Sequence, residues 1–198
     1  MERLQRLPRG IWAIGSGLKG AAEAETWSQS ASQAAALTLR RPAGSGAERL
    51  AAATTLRSAG GFLATHGLGD LALAVEADAV IAGVRSLSLA TYADRFPQLL
   101  RGASTHDGNE AEQALEHGAE FLIFGPVWAT PEKEGILEPR GLQGLQEVVA
   151  FGAPVLAIGG IERPEQVQAC LGAGSFGCAV LRAAQDPVRL AELVAASR

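Results

Sequence analysis

The sequence has few cysteines, no long apolar run and no basic tract, and each shortage excludes a class of protein. Its two cysteines, Cys170 and Cys178, do not form a CxxC motif, so we expect buried thiols in a reducing compartment without a redox or metal role. No apolar run reaches the ~20 residues of a membrane span, and the basic segment 1–9 is not followed by the apolar region of a secretory signal. The net charge of −4 has no basic tract beside it, which argues against nucleic acid as a partner. We therefore expect a cytoplasmic protein that has no membrane partner.

What the sequence does have is enough apolar material for a core. Its 198 residues are 47% hydrophobic with a mean hydropathy of +0.13, which argues against disorder. No linker or shift in composition divides the chain, so residues 1–198 are expected to form a single domain.

Two segments in the second half predict strands that are buried on both faces. Residues 118–133 are GAEFLIFGPVWATPEK and residues 153–161 are APVLAIGGI; in each, an apolar run passes into glycine and proline without a polar face. Such strands belong to parallel sheets, in which a helix usually connects successive strands. The predicted strands, each followed by a helical pattern, are 10–15, 34–40, 61–66, 79–83, 99–104, one within 118–125, one within 153–161, and 177–181.

This alternation predicts the fold class, an α/β protein built as a single (β/α)8 TIM barrel. An open, doubly wound sheet is the alternative, but nothing like GxGxxG follows the first strand. The chain is shorter than the ~250 residues of a typical TIM barrel, so short helices and loops are expected. In such barrels the chemistry lies at the C-terminal ends of the strands.

Glycines and polar residues fall at those strand ends. Gly159-Gly160 ends the seventh strand, where backbone N–H groups can bind an anion, although a GG pair also forms simple tight turns. His106 stands two residues beyond Ser104 at the end of the fifth strand. An imidazole there suits a proton shuttle, and its alternative role is to cap the helix that follows. His66, at the end of the third strand, is a second candidate.

The same segments resemble a known family. GAEFLIFGPVWATPEK, followed by GL and by PVLAIGGI, resembles the signature region of the thiamin phosphate synthases and of their relatives, the TenI-type thiazole tautomerases. LTLR at 37–40 is similar to the family's second-strand motif, DLALAVEADAVIAGV at 70–84 to its third helix and fourth strand, and GASTH at 102–106 to its fifth strand. The resemblance covers most of the chain, and it implies a role in thiamine biosynthesis with a thiazole phosphate as small-molecule ligand.

The sequence departs from the synthases at the positions that hold pyrophosphate and magnesium. Their second strand continues as Arg-x-Lys, whereas here Arg40 is followed two residues later by Pro42. They carry Asn-Asp after the third strand and Asp after the fourth, where this chain has His66-Gly67 and the carboxylate-free stretch 83–86. Because magnesium needs oxygen ligands such as carboxylates, the resemblance implies the tautomerase, an isomerase without metal or cofactor. The synthase, a metal-dependent transferase, and a non-catalytic thiazole phosphate-binding relative are the alternatives.

The resemblance also implies roles for single residues. His106 is expected to move the proton that converts a carboxylated dihydrothiazole phosphate into the aromatic thiazole, and Arg40 to hold the substrate carboxylate. The other predicted substrate contacts are His66, Ser104, Thr130 and Lys133, and the predicted phosphate site consists of Gly159, Gly160, Leu181 and Arg182. Three of these residues have an alternative role. Thr130 could instead finish a turn, Lys133 could form a surface ion pair with a neighbouring glutamate, and Arg182 could be a solvated residue at the start of a helix. The sequence allows a homo-oligomer without requiring one.

Overall fold

The structure, a computed structural model, describes residues 2–84 and 86–198, with no description of the side chains of residues 2, 3 and 133. Strands and helices alternate along the described chain in the predicted order. The strands are β1 (Gly10–Ser16), β2 (Ala36–Arg40), β3 (Phe62–His66), β4 (Ala79–Ala82), β5 (Leu100–Thr105), β6 (Phe121–Phe124), β7 (Val155–Ile158) and β8 (Gly177–Val180). The helices are α1 (Gly20–Ser30), α2 (Gly46–Ser58), α3 (Gly69–Ala74), α4 (Leu89–Arg95), α5 (Gly108–Glu116), α6 (Gly141–Val149), α7 (Pro164–Gly172) and α8 (Pro187–Ala196), with 3₁₀ turns at Glu2–Arg6, Pro131–Lys133 and Ala183–Gln185.

The strands form a closed barrel in which each strand is parallel to its neighbours and β8 pairs with β1. The ring closes with Gly10 opposite Gly177 and Ala13 opposite Val180. Glycine is needed at this seam, because a Cβ on Gly177 would overlap the Gly10 carbonyl oxygen. The predicted TIM barrel is confirmed, and the open-sheet alternative is wrong.

The helices are short, as expected for a barrel of this length. The longest described helix, α2, has 13 residues and begins with a capping box between Ser45 and Glu48. No helix within residues 2–84 and 86–198 combines the length and the apolar character needed to cross a membrane.

Side chains that alternate along the strands build two separate cores. Those that face the helices form the larger core, and those inside the barrel form a second cluster around Trp12. The Trp12 ring packs against Phe62 and Phe121, with ring centroids 5.1 and 5.6 Å apart. Leu7 joins this cluster from the segment before β1, and the Trp12 indole donates to the Pro8 carbonyl at 3.0 Å. These groups fill the barrel at the end where the strands begin, so a ligand must enter from the C-terminal ends of the strands.

A charge cluster around Asp78 stabilises the filled end of the barrel. The Asp78 carboxylate accepts hydrogen bonds from Arg6 at 2.8 Å, from Arg57 at 2.9 Å and from the backbone N–H of Leu63 at 2.9 Å. Its side chain is 16% exposed, so these charge-assisted bonds are partly shielded from water. They connect the N-terminal segment and the end of α2 to the start of the sheet.

Candidate active site at the open end of the barrel

A cavity of about 700 Å³ opens at the C-terminal ends of the strands. Its described lining carries three arginines and two glutamates, so its charge favours an anionic ligand. Lys133 lies in the 3₁₀ turn after β6, and its side chain is outside the described part of the structure. The other nine predicted site residues all line the cavity: Arg40, His66, Ser104, His106, Thr130, Gly159, Gly160, Leu181 and Arg182.

Gly159 and Gly160 form the turn at the end of β7, and the packing there requires glycine. Their φ angles of +100° and +67° lie in the left-handed region. A Cβ on Gly159 would lie 2.6 Å from Cα of Pro126, and one on Gly160 would lie 2.6 Å from the carbonyl oxygen of Ala129. The Gly160 carbonyl accepts a hydrogen bond from Nε2 of Gln166 at 2.8 Å, which orients it towards α7. The turn therefore brings uncovered backbone to the cavity wall, where N–H groups are suited to phosphate oxygens.

Arg182 follows β8 and is held by glutamates from two other loops. Its Nε lies 3.0 Å from Oε1 of Glu162 and 3.6 Å from Oε1 of Glu132, while Arg189 contacts the second oxygen of Glu162 at 2.8 Å. Thr130 donates to Glu132, and this hydrogen bond is the main cause that lowers the pKa of Glu132 below its usual range. The Arg182 side chain is 40% exposed, so it is oriented by carboxylates and still accessible to a phosphate.

The imidazole of His106 is oriented by a glutamate of the helix that follows it. Oε2 of Glu110 accepts the backbone N–H of His106 at 2.8 Å and lies 2.9 Å from Nδ1 of the ring. Because an ionised carboxylate can only accept, we assign the hydrogen to Nδ1, which leaves Nε2 with the lone pair that a base needs. Asp107 accepts the N–H of Glu110 at 2.9 Å and is the N-cap of α5. The alternative role of His106 as that cap is therefore wrong.

Among the described residues, the ends of β2, β3 and β4 bring no carboxylate to the cavity lining. Pro42 is buried and lies outside the cavity lining. Gly83, after β4, lies against the His66 ring, since a Cβ there would be 3.1 Å from Cε1. Within residues 2–84 and 86–198, no three His, Cys, Asp or Glu side chains converge on a point that could hold a metal. The cavity glutamates, Glu132 and Glu162, follow β6 and β7 and contact Arg182. This set of side chains does not fit the magnesium site implied by the resemblance to the synthases.

Three acidic residues of this site, Glu110, Glu132 and Glu162, were not among the site residues predicted from the sequence. Glu110 orients His106, and its signal is the spacing of His and Glu four residues apart across a helix start. Glu162, three residues after Gly159, orients both Arg182 and Arg189. No local pattern predicts that contact, because it joins the loop after β7 to the segments after β8.

Comparison with known proteins gives the same barrel and one family. The family model described as thiamine monophosphate synthase matches residues 15–184. A thiamine-phosphate synthase from Anaeromyxobacter dehalogenans is 34% identical over 185 residues, which cover 90% of this chain and 82% of that protein. The solved structure of a thiamine phosphate pyrophosphorylase from Pyrococcus furiosus matches with a TM-score of 0.81 and 27% identity, over 96% of this chain and 98% of that one.

Other relatives are similar over a shorter stretch. A thiamine-phosphate synthase from Gloeobacter violaceus is 45% identical over 125 residues, 61% of this chain, but the match covers 36% of that protein's length. The match to a protein of the same name from Chloroflexus aurantiacus covers 59% of that protein's length. These relatives carry the synthase name, which agrees with the alternative function inferred from the sequence rather than with the tautomerase.

Proposed function

The chain belongs to the thiamine monophosphate synthase family, and on that premise we propose that the open end of its barrel binds a thiazole phosphate and acts on it in thiamine biosynthesis. The phosphate binds beside the Gly159-Gly160 turn, where Arg182 adds a positive charge. The ring lies deeper, against the apolar side chains of the cavity. A volume of about 700 Å³ is sufficient for a ligand of this size.

The reaction that we propose is the metal-independent proton shift that forms the aromatic thiazole. The observation that carries this proposal is the orientation of His106, which lines the cavity and whose Nδ1 contacts Glu110, so that Nε2 can act as the base. General acid–base assistance of this kind contributes about 10²–10⁴-fold to a rate. Aromatisation makes the step downhill, so this contribution is sufficient without a metal.

The proton balance of the proposed step is simple. Nε2 of His106 removes the proton from ring C2 of the carboxylated dihydrothiazole, and the electron pair of that C–H bond enters the ring. The exocyclic double bond shifts, and its outer carbon takes up a proton from the imidazolium just formed. Glu110 stabilises the imidazolium through Nδ1–H, and Arg40 pairs with the substrate carboxylate. The net change is the movement of one proton.

Thiamine phosphate synthesis is the second candidate, and the names of the relatives favour it over the proton shift. That transfer releases pyrophosphate, whose charge the synthases balance with magnesium and a second-strand lysine. Here that lysine position is the buried Pro42, and His66-Gly67 replaces the Asn-Asp pair. We therefore place the proton shift first on the chemistry of the described side chains.

Two assays on the purified protein distinguish these functions. The first follows the conversion of the carboxythiazole phosphate tautomer by absorbance in the presence of a chelator. The second measures pyrophosphate release from the pyrimidine pyrophosphate and thiazole phosphate with magnesium. Turnover in the first assay that is lost in His106→Ala supports the proton shift, whereas rapid pyrophosphate release in the second overturns it in favour of the synthase. Binding of thiazole phosphate without turnover in either assay would indicate a non-catalytic relative.

A further inference from the structure

The side chain of Thr38 lies inside the barrel beneath the predicted substrate contact Arg40. Along β2, Leu37 and Leu39 belong to the core that faces the helices, and Ala36 belongs to the cluster inside the barrel. By this alternation Thr38 also points inward, and it lines the cavity. Two residues of strand place it about 7 Å deeper than Arg40.

The hydroxyl of Thr38 is buried and lacks a partner in the described part of the chain. The residue is 1% exposed, and its Oγ1 makes no hydrogen bond within residues 2–84 and 86–198. Thr65, which is also buried, shows the usual arrangement, because its hydroxyl donates to the Leu68 carbonyl at 3.2 Å. A buried hydroxyl without a partner costs free energy, and such groups are rare in folded proteins.

Apolar side chains make up much of the cavity lining inside the barrel, where Thr38 lies. The side chains that line the inner part of the cavity with it include Ile14, Ile123, Ile158 and Ala179. Buried polar side-chain atoms that lack a partner in the described chain occur at Thr38, Trp27, Tyr92, Thr105 and Ser175. Among the described residues that line this cavity, only Thr38 has such an atom. A flat apolar ring fits such a floor, and one hydrogen-bonding atom on the ring would meet the hydroxyl.

We infer that Thr38 determines specificity by donating a hydrogen bond to the ring nitrogen of an aromatic heterocycle seated on this floor. The inference rests on the proposed function, which places a thiazole phosphate in the cavity. Nitrogen is the acceptor rather than the ring sulfur, because sulfur accepts hydrogen bonds only weakly. The phosphate is fixed at the rim, so Thr38 selects the ring and not the anion.

The test compares three variants and three probes. Thr38→Val removes the hydroxyl with little change of shape, Thr38→Ser keeps it, and Thr105→Val is the matched control, because Thr105 is 2% exposed, lacks a partner in the described chain and does not line the cavity. The probes are thiazole phosphate, its analogue with carbon in place of the ring nitrogen, and inorganic phosphate. Binding is measured by calorimetry and unfolding by thermal melting.

We expect Thr38→Val to weaken thiazole phosphate binding by about tenfold or more. The affinities for the carbon analogue and for inorganic phosphate should not change. The same variant should melt roughly 2–4 °C higher, because it removes an unsatisfied buried group. Thr105→Val should also melt higher but bind all three probes like the wild type, and Thr38→Ser should keep the preference for the nitrogen-containing ring.

Two results would overturn the inference, and they differ in what they say about the proposed function. If the wild type binds thiazole phosphate and Thr38→Val binds it equally well, Thr38 has no role in specificity while the proposed function survives. If the wild type binds inorganic phosphate but not thiazole phosphate, both proposals fail. Should Thr38→Val not fold, Thr38→Ala takes its place in the same comparison: an unchanged affinity for thiazole phosphate is then the first of these results, and loss of the nitrogen preference supports the inference.

Discussion

Replacing His106 with alanine removes the proposed base but leaves the cap of α5 in place. If Nε2 transfers the proton, the rate should fall by about 10²–10⁴-fold. At 1.36 kcal/mol for each factor of ten, this is about 2.7–5.4 kcal/mol of transition-state stabilisation. Affinity for the thiazole phosphate product should change little, because the phosphate contacts lie after β7 and β8.

The expected loss of stability is much smaller and follows from the contacts of Glu110. In the alanine variant, Glu110 still accepts the backbone N–H of residue 106 at 2.8 Å, and Asp107 still caps the helix at 2.9 Å. The variant loses the ring contact with Glu110, whose side chain is 49% exposed. A contact with a carboxylate this exposed contributes at most about 1 kcal/mol, so the melting temperature should fall by less than roughly 4 °C.

The assay follows formation of the aromatic thiazole by absorbance, with circular dichroism to show that each variant is folded. His117→Ala is the matched control, because His117 is the C-cap of the same helix and its Nδ1 contacts the Gln113 carbonyl at 2.6 Å. We expect the control to keep its rate. Wild-type activity in folded His106→Ala would refute the mechanism, and His66 would be the next residue to replace.

Three further predictions concern charge. Arg182→Ala should weaken inorganic phosphate binding by about tenfold in calorimetry, whereas Arg189→Ala, which removes only the outer contact of the same cluster, should not; equal losses would mean that Arg182 has no direct contact with phosphate. Asp78→Ala should cost about 2–3 kcal/mol in the free energy of unfolding and leave ligand affinity intact, since its three bonds lie at the far end of the barrel. Thr130→Val should raise the pKa of Glu132 towards its usual value in an NMR titration. Because this pKa is lowered in the fold, Glu132 stabilises the wild type at neutral pH and loses that contribution as the pH falls through the folded-state pKa, and an unchanged titration in the variant would contradict the assigned cause.

The sequence predicted the barrel because its strands carry strong local signals. The run FLIF before Gly125, for example, has no polar face and ends at a glycine, so its type is clear. The start of α1, at Gly20, carries no such signal. Here the chain enters the helix through left-handed Gly17 and Gly20, and Lys19 makes no side-chain cap, so the usual signal of a helix start is missing.

The candidate site was predictable only in part. Residues at strand ends, such as Arg40 and His106, could be placed because barrel topology alone brings strand ends together. Glu162 could not, because its partner Arg182 lies in another loop and the contact depends on side-chain geometry. Thr38 could not either, because only packed coordinates show that a hydroxyl lacks a partner. The catalytic and binding roles of these residues stay predictions until the assays are done.

The closure of the sheet has a consequence for how the protein is made. Residues Gly10–Ala13 of β1 can pair with β8 only when Gly177–Val180 have left the ribosome. During most of its synthesis the chain therefore presents an open edge at β1. Pairing of parallel strands that are far apart in the sequence is slow, and until it occurs the unpaired edges are prone to wrong pairing with other chains. A nascent chain that stops before residue 177 would carry two such edges, at β1 and β7, although its seven strands and most of its core are already present. Pairing of the last short strand, β8, therefore removes both open edges of the newly made sheet at once.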